Sequence, residues 1–170
     1  MAAPQDVVRV CRDGATLTFQ PEGRSCVKQG LSVRRHAERC LADGVSAVRV
    51  DLRRCIYMDS TFLGTLLFLM RAVSRHSAGT FALISPTPQC AQLLKQMCLD
   101  QVFPIHSEEE TAGCTWQALP CDPEDLCAFK DNVVQAHHEL ANLPGPAGEQ
   151  FREVAQCLKR EVGPGTGGKA

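Results

Sequence analysis

The stretch Ile56-Tyr57-Met58-Asp59-Ser60-Thr61-Phe62-Leu63-Gly64 decides the fold. It lies where a strand gives way to a helix. Upstream, Val48, Val50, Leu52 and Ile56 are apolar at even spacing, with a break at Arg53 and Arg54. From Leu63 to Val73 the apolar spacing becomes helical. The seam places a hydroxyl, Ser60, at a helix N-terminus beside a carboxylate, Asp59. A helix start presents unpaired backbone N–H groups and the positive end of the dipole, and it accommodates a phosphate readily. Two readings follow. Ser60 either caps the helix, which is worth on the order of 1 kcal/mol, or accepts a phosphate, which would add roughly two negative charges and strong acceptor oxygens.

Working outward, Val7 to Cys11 and Ala15 to Phe19 are β-rich runs joined at the turn signal Asp13-Gly14. Pro21 to Ser25 reads as a loop. A helical pattern begins around Gln29, with Leu31, Val33, Ala37, Cys40 and Leu41 on one face and Gly44 as the stop. Val45 to Cys55 reads as one central strand, Ser60 to His76 as a helix and Thr80 to Ile84 as a strand. Pro86-Thr87-Pro88 opens a helix that runs through Cys98, and Val102 to Ile105 is an edge strand, where Pro104 is tolerated. The alternation predicts an α/β domain with a mixed, mainly parallel central sheet and covering helices.

After this domain, which spans 1–106, the character of the chain changes. A connecting segment, 107–121, is polar and hard to assign. Residues 122–162 predict a helical hairpin. Asp122-Pro123-Glu124-Asp125 is a helix start with an acidic cap and proline at the first position. Leu126, Phe129, Val133, Ala136 and Leu140 form one apolar stripe, and Leu143-Pro144-Gly145-Pro146 enforces a turn. Phe151, Val154, Ala155, Leu158 and Val162 form a second stripe. The Gly-rich tail, 163–170, is expected to be disordered. Neither helix holds alone in water at this length, so the hairpin must pack on the core, on a partner or on a second copy.

Composition bounds the function. A chain of 170 residues with 44% hydrophobic and 22% charged residues is enough for one cored domain with an extension. With 18 basic and 19 acidic residues the net charge is −1, so no nucleic-acid partner is expected from bulk electrostatics. The longest apolar run, Phe62 to Met70, is about half of a membrane span. The N-terminus has neither the basic nor the apolar region of a signal peptide, so a cytoplasmic location is expected. The cysteines stand at 11, 26, 40, 55, 90, 98, 114, 121, 127 and 157, with no C-x-x-C pair. Reduced structural thiols are the first reading. A metal or redox cluster of Cys114, Cys121, Cys127 and His137-His138 is the sharper alternative.

Ser60 lacks the glycines of a G-x-S-x-G nucleophile elbow, and the chain has no G-x-x-x-x-G-K-[ST] phosphate loop. A phosphoaspartyl switch at Asp59 would need further carboxylates for a magnesium ion, and the first strand supplies only Asp13 in a turn. The five histidines, at 36, 76, 106, 137 and 138, are dispersed and read as surface or capping residues. Autonomous catalysis is not expected. A protein-binding switch remains.

Val48-Arg49-Val50-Asp51-Leu52 followed by Tyr57-Met58-Asp59-Ser60-Thr61-Phe62-Leu63-Gly64-Thr65-Leu66-Leu67 resembles the signature of STAS domains, the anti-sigma factor antagonists of bacterial partner-switching systems. Thr80 to Leu94, with Ser85-Pro86, also fits, and the resemblance covers residues 6 to 106. It implies a STAS-like fold with a phosphoacceptor at Ser60 and Thr61 as a second or alternative acceptor. It implies a partner surface of Asp59, Phe62, Leu63, Gly64 and Ser85. The partners would be an anti-sigma factor that is also a serine kinase and a PP2C-type phosphatase. The chain would then be a ligand and substrate rather than an enzyme, with no cofactor or metal. The family's glycine is replaced by Phe62, which predicts either a hydrophobic anchor for a partner or a domain without a working acceptor. The latter would be a scaffold of a stressosome-like assembly in which the hairpin supplies contacts, a homodimer included.

Overall fold

The computed structural model describes residues 5–110, 112–121 and 125–161. The chain opens with β1 (Val7–Asp13) and β2 (Thr16–Ser25), an antiparallel pair closed at Gly14, whose φ of 58° suits the tight turn. Then come α1 (Val27–Ala42), β3 (Ala47–Asp51), β4 (Cys55–Met58), α2 (Ser60–Ser74), β5 (Thr80–Ile84) and α3 (Pro88–Gln96). Two short strands, β6 (Ile105–His106) and β7 (Gln117–Ala118), precede α4 (Leu126–Ala141) and α5 (Gly145–Glu161). The sheet order is β6-β5-β3-β2-β1-β7, with β4 on β2. β2, β3, β5 and β6 run parallel, and β1 is antiparallel to both β2 and β7. The mixed, mainly parallel sheet with covering helices is thus present, together with the C-terminal helices.

Three local expectations are corrected. The segment read as a loop, Pro21 to Ser25, is strand. β2 pairs with β3 as far as Phe19, and with β4 only from Gly23, so Pro21 lies where no neighbour asks for its missing N–H. The strand read as continuous from Val45 to Cys55 is two. Asp51 Oδ1 accepts from the Arg53 backbone N–H at 3.1 Å and from Arg53 Nε at 2.8 Å, which turns the chain after β3. Finally, β6 begins at Ile105 rather than Val102, because Val102 and Phe103 donate to the Leu99 carbonyl in a turn that continues from α3.

The two faces of the sheet differ as alternation requires. Leu17, Phe19, Val48 and Val50 point into the core with Leu63, Leu66, Leu67 and Leu69 of α2. Thr16, Thr18, Arg49 and Asp51 point the other way, into a cleft closed by Cys114 and Trp116 of the connecting segment. That segment crosses the polar face as a strap. Glu108 pairs with Arg49, and its carbonyl accepts from Arg53 Nη2 at 3.1 Å. Cys114 is bonded to Cys11 across 103 residues, with Cα atoms 6.3 Å apart. The expectation of ten reduced thiols is therefore corrected to eight, and Cys114 is not available to a metal cluster. Among the described residues no cluster of His, Cys, Asp or Glu is arranged to hold a metal ion. Among the described residues, too, no helix is long and apolar enough to cross a membrane.

The hairpin packs on the core. α4 lies against α2 and α1, and α5 lies against α4. α2 and α4 come close at Gly64, where an added Cβ would overlap the backbone of Ala136. The expected helix start at Asp122-Pro123-Glu124 lies outside the described residues. Asp125 caps α4 by accepting from Ala128 N–H at 2.9 Å. Leu126, assigned to the apolar stripe, is 68% exposed. Val162 and the tail lie outside the described residues.

Candidate functional site

The site grows out of the end of β4. Ser25 pairs in register with Met58, so β2 and β4 end together, and α1 and α2 start side by side. The Asp59 N–H donates to the Ser25 carbonyl at 3.1 Å, which ties the seam to β2. The Asp59 carboxylate accepts from Phe62 N–H at 2.8 Å, so Asp59, not Ser60, is the cap of α2. This removes the capping role considered for Ser60. Ser60 takes the first helical position and its hydroxyl is left for other work. The Cys26 thiol lies beside Asp59. Burial first, and then the nearby Asp59 charge, push that thiol up and keep it protonated.

Ser60 Oγ lies 2.9 Å from Nε2 of His137, which is 6% exposed on α4. The other ring nitrogen, Nδ1, lies 2.8 Å from the Val133 carbonyl one turn back. A carbonyl only accepts, so Nδ1 carries a proton. In the neutral ring Nε2 then accepts from the serine hydroxyl. Beside this contact, Asn132 Nδ2 donates to Thr65 Oγ1 at 3.5 Å, and Glu139 pairs with Arg71. A serine–histidine contact with an oriented ring is part of a nucleophilic dyad. Here the serine faces α4, whose His137 is buried against it.

The structure separates the other predicted site residues. Phe62 is 0% exposed and belongs to the main core cluster, so the ring expected at a partner-facing surface is corrected to a core position. It stands where α2 turns its first apolar residue onto the sheet. Thr61 is buried, and its carbonyl accepts from the Thr65 hydroxyl at 2.9 Å. Leu63 is in the core, and Gly64 meets Ala136. Ser85 follows β5 with a φ of 45°. Its hydroxyl donates to the Glu108 carbonyl and accepts from the Glu108 N–H, both at 3.0 Å, so it anchors the strap rather than Ser60.

Sequence reading took His137 as a surface or capping residue, or as a metal ligand, and missed its place beside Ser60. A signal was present, because His137 and Asn132 flank the apolar stripe of Val133, Ala136 and Leu140, of which Ala136 and Leu140 are buried. A polar residue on an apolar face needs a partner.

The strand pair leading into alternating helices and parallel strands, with a serine at the seam of β4 and α2, defines a small mixed-sheet α/β domain built around one strand-to-helix junction. The chain belongs to the STAS domain family, whose model matches residues 8–112, well over half of the chain. Among solved structures it is similar to the anti-sigma factor antagonist SpoIIAA in its unphosphorylated form (TM-score 0.54, 19% identity), covering 64% of this chain and 90% of that one. It is also similar to the Bacillus SpoIIAA in the phosphorylated form (TM-score 0.50, 19% identity; 64% and 93% covered). A Thermotoga maritima protein described as a candidate anti-sigma factor antagonist has TM-score 0.51 and 19% identity, with 59% and 85% covered. At these identities the likeness is one of fold. No curated protein matches the chain. The family match ends before α4, so the hairpin is an addition to the matched domain.

Proposed function

We propose that this chain is a phospho-regulated protein-binding switch, an anti-sigma factor antagonist of a partner-switching pathway. In its unphosphorylated form it binds an anti-sigma factor that is also a serine kinase. Phosphate on Ser60 releases that partner, and a PP2C-type phosphatase restores the first state. The chain acts as ligand and substrate in the cytoplasm, not as an enzyme, and uses no cofactor. One observation carries the reading: in a STAS fold, Asp59 takes the cap of α2, and the Ser60 hydroxyl stands free of that duty at the strand-to-helix seam. The roles of Asp59 and Gly64 follow from it, the first shaping the loop and the second keeping the helix face flat.

Incubation with the cognate kinase and ATP labels Ser60. Ser60→Asp weakens partner binding, whereas Ser60→Ala preserves it. A mass spectrum with phosphate at neither Ser60 nor Thr61, in the native chain and in a variant whose hairpin is displaced, would reject the switch. One observation favours a second reading, a STAS scaffold without a working acceptor: the hydroxyl is already bonded to His137 under α4. That reading expects no label even when the hairpin is displaced.

A further inference from the structure

We propose that the α4–α5 hairpin is an intramolecular competitor for the Ser60 face: it occupies the surface of α2, and phosphate transfer or partner docking there requires it to lift. This rests on Ser60 being the acceptor. At 2.9 Å from Nε2, the Ser60 hydroxyl is engaged by α4, and a phosphoryl group would have to displace His137. About four turns of α4 run across α1 and α2, from Asp125 on Arg35 of α1 to Glu139 on Arg71 of α2. The family's domain ends before α4, so without the hairpin this face of α2 is uncovered.

The interface is mixed. Asn132 and His137 are buried polar groups on α4, beside apolar Ala136 and Leu140. Water can satisfy the polar groups once the helices part, which offsets part of the cost of exposing the apolar ones. The close approach of Gly64 and Ala136 makes docking sensitive to one side-chain atom. The strap that joins the hairpin to the domain is held independently by Cys11, by Ser85 and Arg53, and by β7 on β1. The hairpin can therefore lift without peeling the strap from the sheet. By linkage, whatever factor docking takes from partner affinity, the bound partner takes from docking.

The test compares full-length wild type with His137→Ala/Glu139→Ala, which alters α4 only and leaves the α2 face as it is. A second variant, Ala136→Leu, enlarges a buried α4 side chain opposite Gly64 and serves if the first does not fold. Hydrogen exchange reads docking. Residues 126–161 lose protection in the variant while β2 and β3 keep theirs. A host-cell extract with ATPγS then supplies the kinase, and thiophosphate on Ser60 is counted by mass spectrometry. The expected rate is about tenfold or more above wild type, for a lifted population of about one in ten or less. Equal labelling with the hairpin shown released would overturn the competitor proposal alone. So would loss of protection in β2 and β3 together with the hairpin in both variants. No label on Ser60 in either chain would remove the acceptor reading and the proposal with it.

Discussion

Phe62 shows how a residue's place in a motif and its place in space can part. In the sequence it stands two positions after Ser60, where a partner would approach. In the structure its ring has no exposed surface. Phe62→Ala should therefore act on stability rather than recognition, with a loss of about 3–5 kcal/mol from lost burial and the cavity left behind. Urea unfolding followed by circular dichroism measures this. An unchanged midpoint would return the ring to the surface. Ser60 shows the converse. Its place at the seam was legible from the change of period between Ile56 and Leu63. Its partner, 77 residues away, was not, because a hydroxyl's bond to a distant helix leaves no local spacing to read. Cys55 is a residue that the neighbouring Cys90 side chain first, and burial next, keep as a neutral thiol, so it fills the core as a small hydrophobe.

At the scale of elements, strand pairing and helix caps explain what the pattern could and could not give. The run from Val45 to Cys55 reads as one strand, yet the Asx turn at Asp51 divides it at the Arg53-Arg54 break in the apolar spacing, since a side-chain bond two residues on turns the chain there. The start of α4 depends on Asp125, whose carboxyl is held below its ordinary range by the Ala128 N–H first and by Arg35 next. A depressed folded pKa contributes docking stability that is present above the ordinary value of 3.8 and is lost as pH falls through the folded one. Hydrogen exchange of α4 should thus quicken relative to β3 as the pH is lowered below about 4, and Asp125→Asn should remove that pH dependence. A pH-independent ratio in the native chain would show that the cap and the Arg35 pair do not support docking.

At the scale of the whole molecule, one strap and one hairpin clothe the STAS domain on its two sides. The strap seals the polar face through Cys114, and the hairpin covers α2. The Cys11–Cys114 bond closes a span of 103 residues, so Cys114→Ser should cost on the order of 4 kcal/mol. Urea unfolding with and without reductant tests this. Wild type in reductant should fall to the variant's value, and no difference between the oxidised chains would mean that the strap is held by Glu108 and β7 alone. The sequence by itself determined the alternation of strands and helices, the strand-to-helix seam at Asp59-Ser60, and the existence of a C-terminal hairpin. Those features are written in local periodicity and in caps a few residues apart. Only the tertiary structure decided that Phe62 is core, that Cys114 meets Cys11, and that His137 closes over Ser60. Each joins residues far apart in the chain, and pairing at that distance is selected by the packing of the whole sheet and its helices.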